Sequence, residues 1–229
     1  MASSISIIVP CYNEARTIEE ILARLAAAYT CAWKKEIIVV DDASHDGTRE
    51  ILKKYENTIS VIYCDTNGGK GTAVRYGLEK ATGEYILIQD ADLEYNPADI
   101  QALVSVIDTG VADVVYGSRT LSSSTKHGGT IARLGAWSIT KLINFLYGLR
   151  LTDVWTCYKL FPRAASADFI SGHFESELLF TAALARRQYR FIEVPISYAP
   201  RLFSEGKKIR YRDGIYAIIA IVVDWFRHI

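Results

Sequence analysis

The sequence predicts an α/β fold, a Rossmann-like, mostly parallel sheet with helices on both faces. Three patterns carry that expectation. Short β-branched runs, nearly all apolar, recur at wide and regular intervals, as in strands covered on both faces. Segments with helical apolar spacing fill the gaps between them. Strand–helix alternation at this length implies βαβ units and a doubly wound sheet.

The strand candidates are Ile5–Val9, Glu36–Val40, Ile59–Cys64, Tyr85–Gln89 and Asp113–Tyr116. In the first gap, Ile18, Ile21, Leu22, Leu25 and Ala28 fall at i, i+3, i+4, i+7 spacing, which predicts a helix over Thr17–Tyr29. Thr48–Tyr55, Gly71–Ala81 and Ala98–Asp108 fill the next three gaps. After about residue 117 the rhythm changes. Leu121–Thr130 is rich in Ser, Thr, Gly and His and reads as a loop. Ile131–Leu149 carries Ile131, Leu134, Trp137, Leu142, Phe145, Leu146 and Leu149 with Arg133 and Lys141 between, an amphipathic helix. A helix at Glu175–Arg187, a strand at Phe191–Ile196 and a basic loop at Pro200–Arg212 follow. Gly214–Val223 is an unbroken apolar run, flanked by Asp213 and Asp224. A bilayer span takes roughly 20 apolar residues, so this run reads as a core helix, a membrane-surface helix or the stump of a longer span.

With 229 residues, half of them apolar and 23% charged, the chain is globular rather than disordered or collagen-like. No internal repeat or linker divides it, so residues 1–229 are read as one domain with two halves, 1–117 and 118–229. Its net charge of zero conceals a split: residues 1–115 hold 10 Lys+Arg against 18 Asp+Glu, and residues 116–229 hold 16 against 8. Such a split suits a protein that binds metal on one side and anions on the other, and solvated surface charge can also produce it. Cys11, Cys31, Cys64 and Cys157 form no C-x-x-C pair and no ligand spacing, which speaks against a zinc site or a disulfide framework and for reduced cysteines of a cytosolic protein. The N-terminus lacks the basic then apolar build of a signal peptide.

In an open α/β sheet, ligands bind beyond the carboxyl ends of the strands. Four polar clusters sit at such ends: Pro10-Cys11-Tyr12-Asn13-Glu14, Asp41 to Thr48, Asn67-Gly68-Gly69-Lys70-Gly71 and Asp90-Ala91-Asp92-Leu93-Glu94. Helix capping explains one of them, hardly all four. Asp90 and Asp92, one residue apart at the end of a buried strand, repel unless a cation joins them. Their hard oxygens suit Mg²⁺ or Mn²⁺, with Glu94 as a third ligand or the holder of a metal-bound water. Solvated loop acids are the plain alternative. The Asn67–Gly71 turn fits neither a P-loop nor a G-x-G-x-x-G fingerprint. It is either a flexible turn or a glycine-rich helix opening whose amides and Lys70 meet a nucleotide or its phosphates. The second half supplies Arg119, Arg133, Arg201, Lys207 and Lys208, which could clamp a diphosphate or a second phosphorylated substrate. Balanced charge and the lack of a recognition motif exclude nucleic acid as a partner.

Taken together, Pro10-x-Tyr12-Asn13-Glu14, Asp41-Asp42-x-Ser44-x-Asp46-Gly47-Thr48, Asn67-x-Gly69-Lys70-Gly71 and Asp90-Ala91-Asp92-Leu93 resemble the signature of family 2 glycosyltransferases with the GT-A fold. The dolichol-phosphate mannose synthases and bacterial polyprenyl-phosphate glycosyltransferases are the most similar group. Gly117-Ser118-Arg119, Thr156-Cys157-Tyr158-Lys159 and Glu193-Val194-Pro195-Ile196 extend the resemblance, as does Arg201 with Glu205-Gly206-Lys207-Lys208-Ile209. The resemblance implies that Pro10, Tyr12, Glu14, Val40 and Asp42 hold base and ribose. It implies that Asp90, Ala91 and Asp92 serve donor diphosphate and metal, and that Arg119, Arg201 and Lys207 meet phosphates, with Lys208 hard to rank against Lys207. Arg133 would meet the acceptor phosphate. Two departures stand out: Glu94 where the group often has Gln or Ser, and Glu-Gly-Lys-Lys where the mannose synthases usually have Ser directly before a single Lys. The implied reaction moves a hexose from a GDP- or UDP-sugar to a polyprenyl phosphate, with inversion, in an enzyme held peripherally at the cytoplasmic face of a membrane. Asp92, Arg119, Arg133 and Arg201 would carry the chemistry. A sugar-hydroxyl acceptor would instead need a carboxylate base, for which Glu94, Glu175 and Glu177 are candidates. A sugar nucleotidyltransferase would need a glycine-rich loop with a basic residue after the first strand, which Pro10–Glu14 is not. A receiver-type module would be about half this length and would not need the basic second half.

Overall fold

The computed structural model describes residues 3–122, 130–169, 175–201 and 211–228, with backbone alone at 130–133, 211–213 and 215. The strands are β1 (Ser4–Cys11), β2 (Lys34–Asp41), β3 (Ser60–Tyr63), β4 (Tyr85–Ile88), β5 (Val114–Ser118), β6 (Lys159–Pro162) and β7 (Phe191–Pro195). The helices are α1 (Ile18–Ala27), α2 (Thr48–Leu52), α3 (Lys70–Lys80), α4 (Ile100–Asp108), α5 (Thr130–Tyr147), α6 (Ser176–Arg186) and α7 (Tyr211–Arg227). Six of the seven strands match the sequence expectation. The seventh, β6, was not foreseen, because its four residues include a buried lysine and end on Pro162.

One sheet runs in the order β3-β2-β1-β4-β6-β5-β7. β1 pairs in parallel with β2 and β4, β2 with β3, and β5 with β7, whereas β6 is antiparallel to both neighbours. The period of two along β1 sends Ile5, Ile7 and Val9 to one face and Ile8 to the other. On the first face, α1 and α4 contribute Ile18, Ile21, Leu25, Ile100 and Leu103. On the second, α3, α5, α6 and α7 contribute Val74, Ile139, Ile143, Phe180 and Ile221. Both faces are therefore covered, as the apolar strand runs require.

After β1 the chain winds outward through β2 and β3, then returns to place β4 on the other side of β1. A crevice opens at such a reversal, beyond the carboxyl ends of the strands. The loops leaving β1, β2 and β4 each turn through a left-handed non-glycine residue, Asn13 (φ 55°), Ala43 (φ 62°) and Leu93 (φ 63°). For Ala43 and Leu93 that conformation is strained, the kind of strain that clusters at functional sites.

Candidate active site

A cleft of about 260 Å³ lies over the carboxyl ends of β1, β2 and β4. Pro10, Tyr12, Glu14 and Asp42 line it, as do Lys70, Asp90, Ala91, Asp92, Glu94, Arg119 and Arg201. The structure thus brings the acidic loops and three cations of the basic half, Arg119, Lys159 and Arg201, into one place. Val40 is the exception. It is wholly buried and belongs to the core on the α3 face, so its side chain does not reach the cleft. The side chain of Arg133, and Lys207 and Lys208 entirely, lie outside the described residues.

Buried Asp42 organises the glycine-rich turn. Its Oδ1 accepts the Gly68 amide and its Oδ2 the Gly69 amide, both at 2.8 Å, while the Asn67 side chain donates to its carbonyl at 3.2 Å. Those two amides, expected to face phosphates, are committed to Asp42. A side chain at position 68 would crowd Thr72, and the open turn lets α3 start at Lys70. Tyr12 packs edge-on against His45, their ring centroids 5.8 Å apart.

Lys70 does not stand free at the helix start. Its ammonium meets Asp90 Oδ1 at 2.6 Å, Glu177 Oε1 at 2.8 Å and Cys157 Sγ at 3.0 Å. Glu177 also pairs through Oε2 with the fully buried Lys159, 3.2 Å away. Burial alone would pull the Lys70 pKa down, but Asp90, Cys157 and Glu177 outweigh it and hold it well above the usual lysine value. Burial likewise works against the Asp90 carboxylate, and Lys70 overcomes it, lowering the Asp90 pKa. Two acids and two lysines thus form a neutral quartet in the cleft wall, joining α3, the loop after β4, β6 and α6. The sequence offers Glu177 as a candidate base, whereas the structure spends it on two lysines. The signal available was a lone Glu inside the apolar helix and a lone Lys inside the apolar strand, each needing a partner if buried.

Asp92 sits beside this quartet. Burial, reinforced by Asp90 and Glu94 and opposed by Arg201, pushes its carboxyl up to about 7. Arg201 Nη2 donates to Asp92 Oδ2 at 2.9 Å, and its two terminal nitrogens reach Glu14 at 3.0 and 3.2 Å. Glu94 lines the cleft beside Asp92, where its carboxylate accepts the Tyr198 hydroxyl at 2.6 Å and the Arg201 amide at 2.8 Å. Arg119 forms a fork with Asp153, at 2.7 and 2.8 Å, and its guanidinium lies 5.0 Å from the centre of the Tyr198 ring.

Among the described residues, no group of three or more His, Cys, Asp and Glu closes into a metal-ligand set. Yet a guanidinium already stands among Glu14, Asp92 and Glu94, so positive charge is held at this spot. Such a site fits a hard divalent cation taking one or two carboxylates, its remaining ligands coming from phosphate oxygens and water.

A sheet of this order with a cleft at this reversal defines a GT-A type fold. Solved structures agree. Glucosyl-3-phosphoglycerate synthase from Mycobacterium tuberculosis, in complex with Mn²⁺, uridine diphosphate and glucosyl-3-phosphoglycerate, superimposes with a TM-score of 0.74 at 19% identity, over 97% of this chain and 80% of that one. TarS residues 1–349 from S. aureus, in complex with UDP-GlcNAc, gives 0.65 at 22%, over 96% and 66%. Both likenesses are of fold. The chain belongs to glycosyl transferase family 2, whose model matches residues 6–169. Undecaprenyl-phosphate mannosyltransferase from Micrococcus luteus is 30% identical over 87% of this chain and 85% of its own length. Dodecaprenyl-phosphate galacturonate synthase from Rhizobium johnstonii is 29% identical over 69% of this chain, which spans 47% of that longer protein.

Proposed function

We propose that this family 2 glycosyltransferase moves a hexose from a nucleoside-diphosphate sugar to a polyprenyl phosphate, with inversion and with help from Mg²⁺ or Mn²⁺. The observation that carries the reading is the direct contact of Asp92 with Arg201 across one cleft, acid tip against cationic arm. The similarity to the undecaprenyl-phosphate and dodecaprenyl-phosphate enzymes supports the acceptor. So does the state of the carboxylates. A phosphate monoester has a second pKa of about 6, so it attacks already ionised and needs no general base. Of the three carboxylates a sugar hydroxyl would call upon, Glu94, Glu175 and Glu177, two are committed, Glu94 to Tyr198 and the Arg201 amide and Glu177 to two lysines.

In this mechanism Pro10, Tyr12, Glu14 and Asp42 flank the nucleoside, and Asp90, Ala91 and Asp92 face the diphosphate. Asp92 would hold a divalent cation, which would supply Lewis-acid neutralisation of charge on the diphosphate. Arg201, with Lys207, adds electrostatic stabilisation there. Arg119 and Arg133 position the acceptor phosphate, whose oxygen bonds to the anomeric carbon as the bond to the diphosphate oxygen breaks. The membrane surface is the second partner. No described helix is long and apolar enough to cross a bilayer. However, α5 exposes Leu134, Trp137 and Phe145 on one face, and α7, packed against it, exposes Tyr216, Ile219, Val223 and Phe226. Paired apolar faces of this kind suit interfacial attachment beside a lipid acceptor.

The test is an assay of the purified protein with Mn²⁺ or Mg²⁺, polyprenyl phosphate and a panel of GDP- and UDP-sugars. Lipid-linked product that disappears with chelator and in Asp92→Ala is expected. Activity indifferent to both, or a strict preference for a free sugar as acceptor, would overturn the proposal.

A further inference from the structure

We infer that Arg201 is a built-in counter-ion that competes with the divalent cation for Asp92, and that Glu14 is the positioning residue that parks it there. The inference rests on the metal-assisted reading above and deepens it. Three carboxylates surround a single guanidinium. Nη1 lies 3.0 Å from Glu14 Oε2, and Nη2 lies 3.2 Å from Glu14 Oε1 and 2.9 Å from Asp92 Oδ2. Nε, 4.0 Å from Glu94 Oε1, is buried and has no hydrogen-bond partner among the described residues. The fork thus gives both terminal nitrogens to Glu14 and only one of them to Asp92.

A Mg²⁺–oxygen bond is about 2.0–2.1 Å long, whereas Nη2 already stands against Asp92 Oδ2. Asp92 Oδ1 already accepts the Glu94 amide at 3.1 Å, and two cations sharing so small a carboxylate repel. Metal entry at Asp92 thus favours withdrawal of the guanidinium. Glu14, which grips the other edge of the fork, keeps Arg201 in the cleft while it does so. A planar fork matches a diphosphate as well as it matches a carboxylate. The donor diphosphate therefore offers Arg201 a new partner at the moment the metal takes the old one. Metal alone must displace Arg201 without compensation; metal with diphosphate need not. By linkage, each ligand then strengthens the other.

Mn²⁺ binding, followed by the electron paramagnetic resonance signal of the free ion, separates the possibilities in wild type and Arg201→Gln, without nucleotide and with a nucleoside diphosphate. Without nucleotide, Arg201→Gln should bind Mn²⁺ about tenfold more tightly than wild type, within the usual range of coupling between sites. With the diphosphate present, the variant should lose most of the cooperative gain, and Arg201→Lys should lie between. A phosphate-binding arginine with no such competition predicts unchanged or weaker Mn²⁺ affinity in Arg201→Gln, and that result overturns the inference alone. Absence of Mn²⁺ binding in both proteins, even with diphosphate, removes the metal reading and the inference with it. In wild type, the Nε–Hε resonance of Arg201, identified by its loss in Arg201→Lys, should shift as Mg²⁺ and diphosphate are added. A resonance that stays in place at saturation also overturns the inference, whatever the variants do.

Discussion

Lys159 has no exposed surface, yet its charge survives burial because Glu177 meets it through both its carboxylate and its backbone carbonyl, each at 3.2 Å. Removing one member of a buried pair strands the other, at a cost of about 3–5 kcal/mol. Glu177→Gln should therefore lower stability by about that much in urea unfolding, since it strips Lys159 of its carboxylate and leaves Lys70 to Asp90. A loss under about 1 kcal/mol would mean that the quartet is not the closed charge system its distances describe. Asp92→Asn should do the opposite. A carboxyl raised to about 7 contributes stability that is complete below the unfolded-state value near 3.8 and is lost as pH rises through about 7. Relative to the variant, metal-free wild type should thus weaken between pH 4 and pH 8, by something on the order of 4 kcal/mol. Parallel stability curves for the two proteins across that range would refute the charge crowding around Asp92. A residue that destabilises the empty protein and is still retained at the cleft is what a functional carboxylate is expected to be.

Among the elements, α5 shows what periodicity can and cannot reveal. The spacing from Ile131 to Leu149 identifies a helix, and one is present, but it does not say that two apolar faces are superposed. Ile139 and Ile143 point into the core with Leu142 and Leu146 packed beside them, whereas Leu134, Trp137 and Phe145 face outward, Phe145 being 85% exposed. α7 divides in the same way: Ala217 and Ile221 face inward, while Tyr216, Ile219, Val223 and Phe226 face outward. The core and membrane-surface readings of that run are thus two faces of one helix. Replacing Phe145 and Phe226 with Glu should leave stability within about 0.5 kcal/mol per site, as for exposed positions. It should also sharply reduce sedimentation of the protein with phospholipid vesicles. Unchanged vesicle association would remove these faces from the membrane proposal. On the same sheet face, α3 sits so close to β1 that a Cβ at Gly77 would run into Ile8 Cγ2. Gly77→Ala should cost about 1–3 kcal/mol through overpacking, read as a lower midpoint in urea. No pattern in the sequence announces that contact, because it depends on how closely helix and strand approach.

At the scale of the whole molecule, parallel strands made the location of the cleft legible before any coordinates, since their carboxyl ends must share one rim. The partners within it were not legible. Arg201 finds Glu14 across 187 positions and Asp92 across 109, and Lys70 reaches Cys157 across 87, separations that only the strand order closes. The acidic first half and basic second half foretold that opposite charges would meet, but not that Lys70 would be spent on Asp90 and Glu177, or Arg119 on Asp153. A cleft whose cations are already paired to its own acids has a consequence for ligand binding. A nucleoside diphosphate entering alone must draw Arg201 away from Asp92 and leave that carboxylate facing its own negative charge; a divalent cation entering with it cancels that cost. Ligands that bind only the folded state at about 100 times their Kd add roughly 2.7 kcal/mol, and each kcal/mol moves the midpoint of a chain this size by about 2–4 °C. Mn²⁺ and nucleoside diphosphate together should therefore raise Tm by about 5–10 °C, while either one alone, or the nucleotide in excess chelator, should give much less than half of that. If the nucleotide in chelator reproduces the whole shift, the acids of this cleft are structural counter-ions to their cations, and the diphosphate is held without a metal.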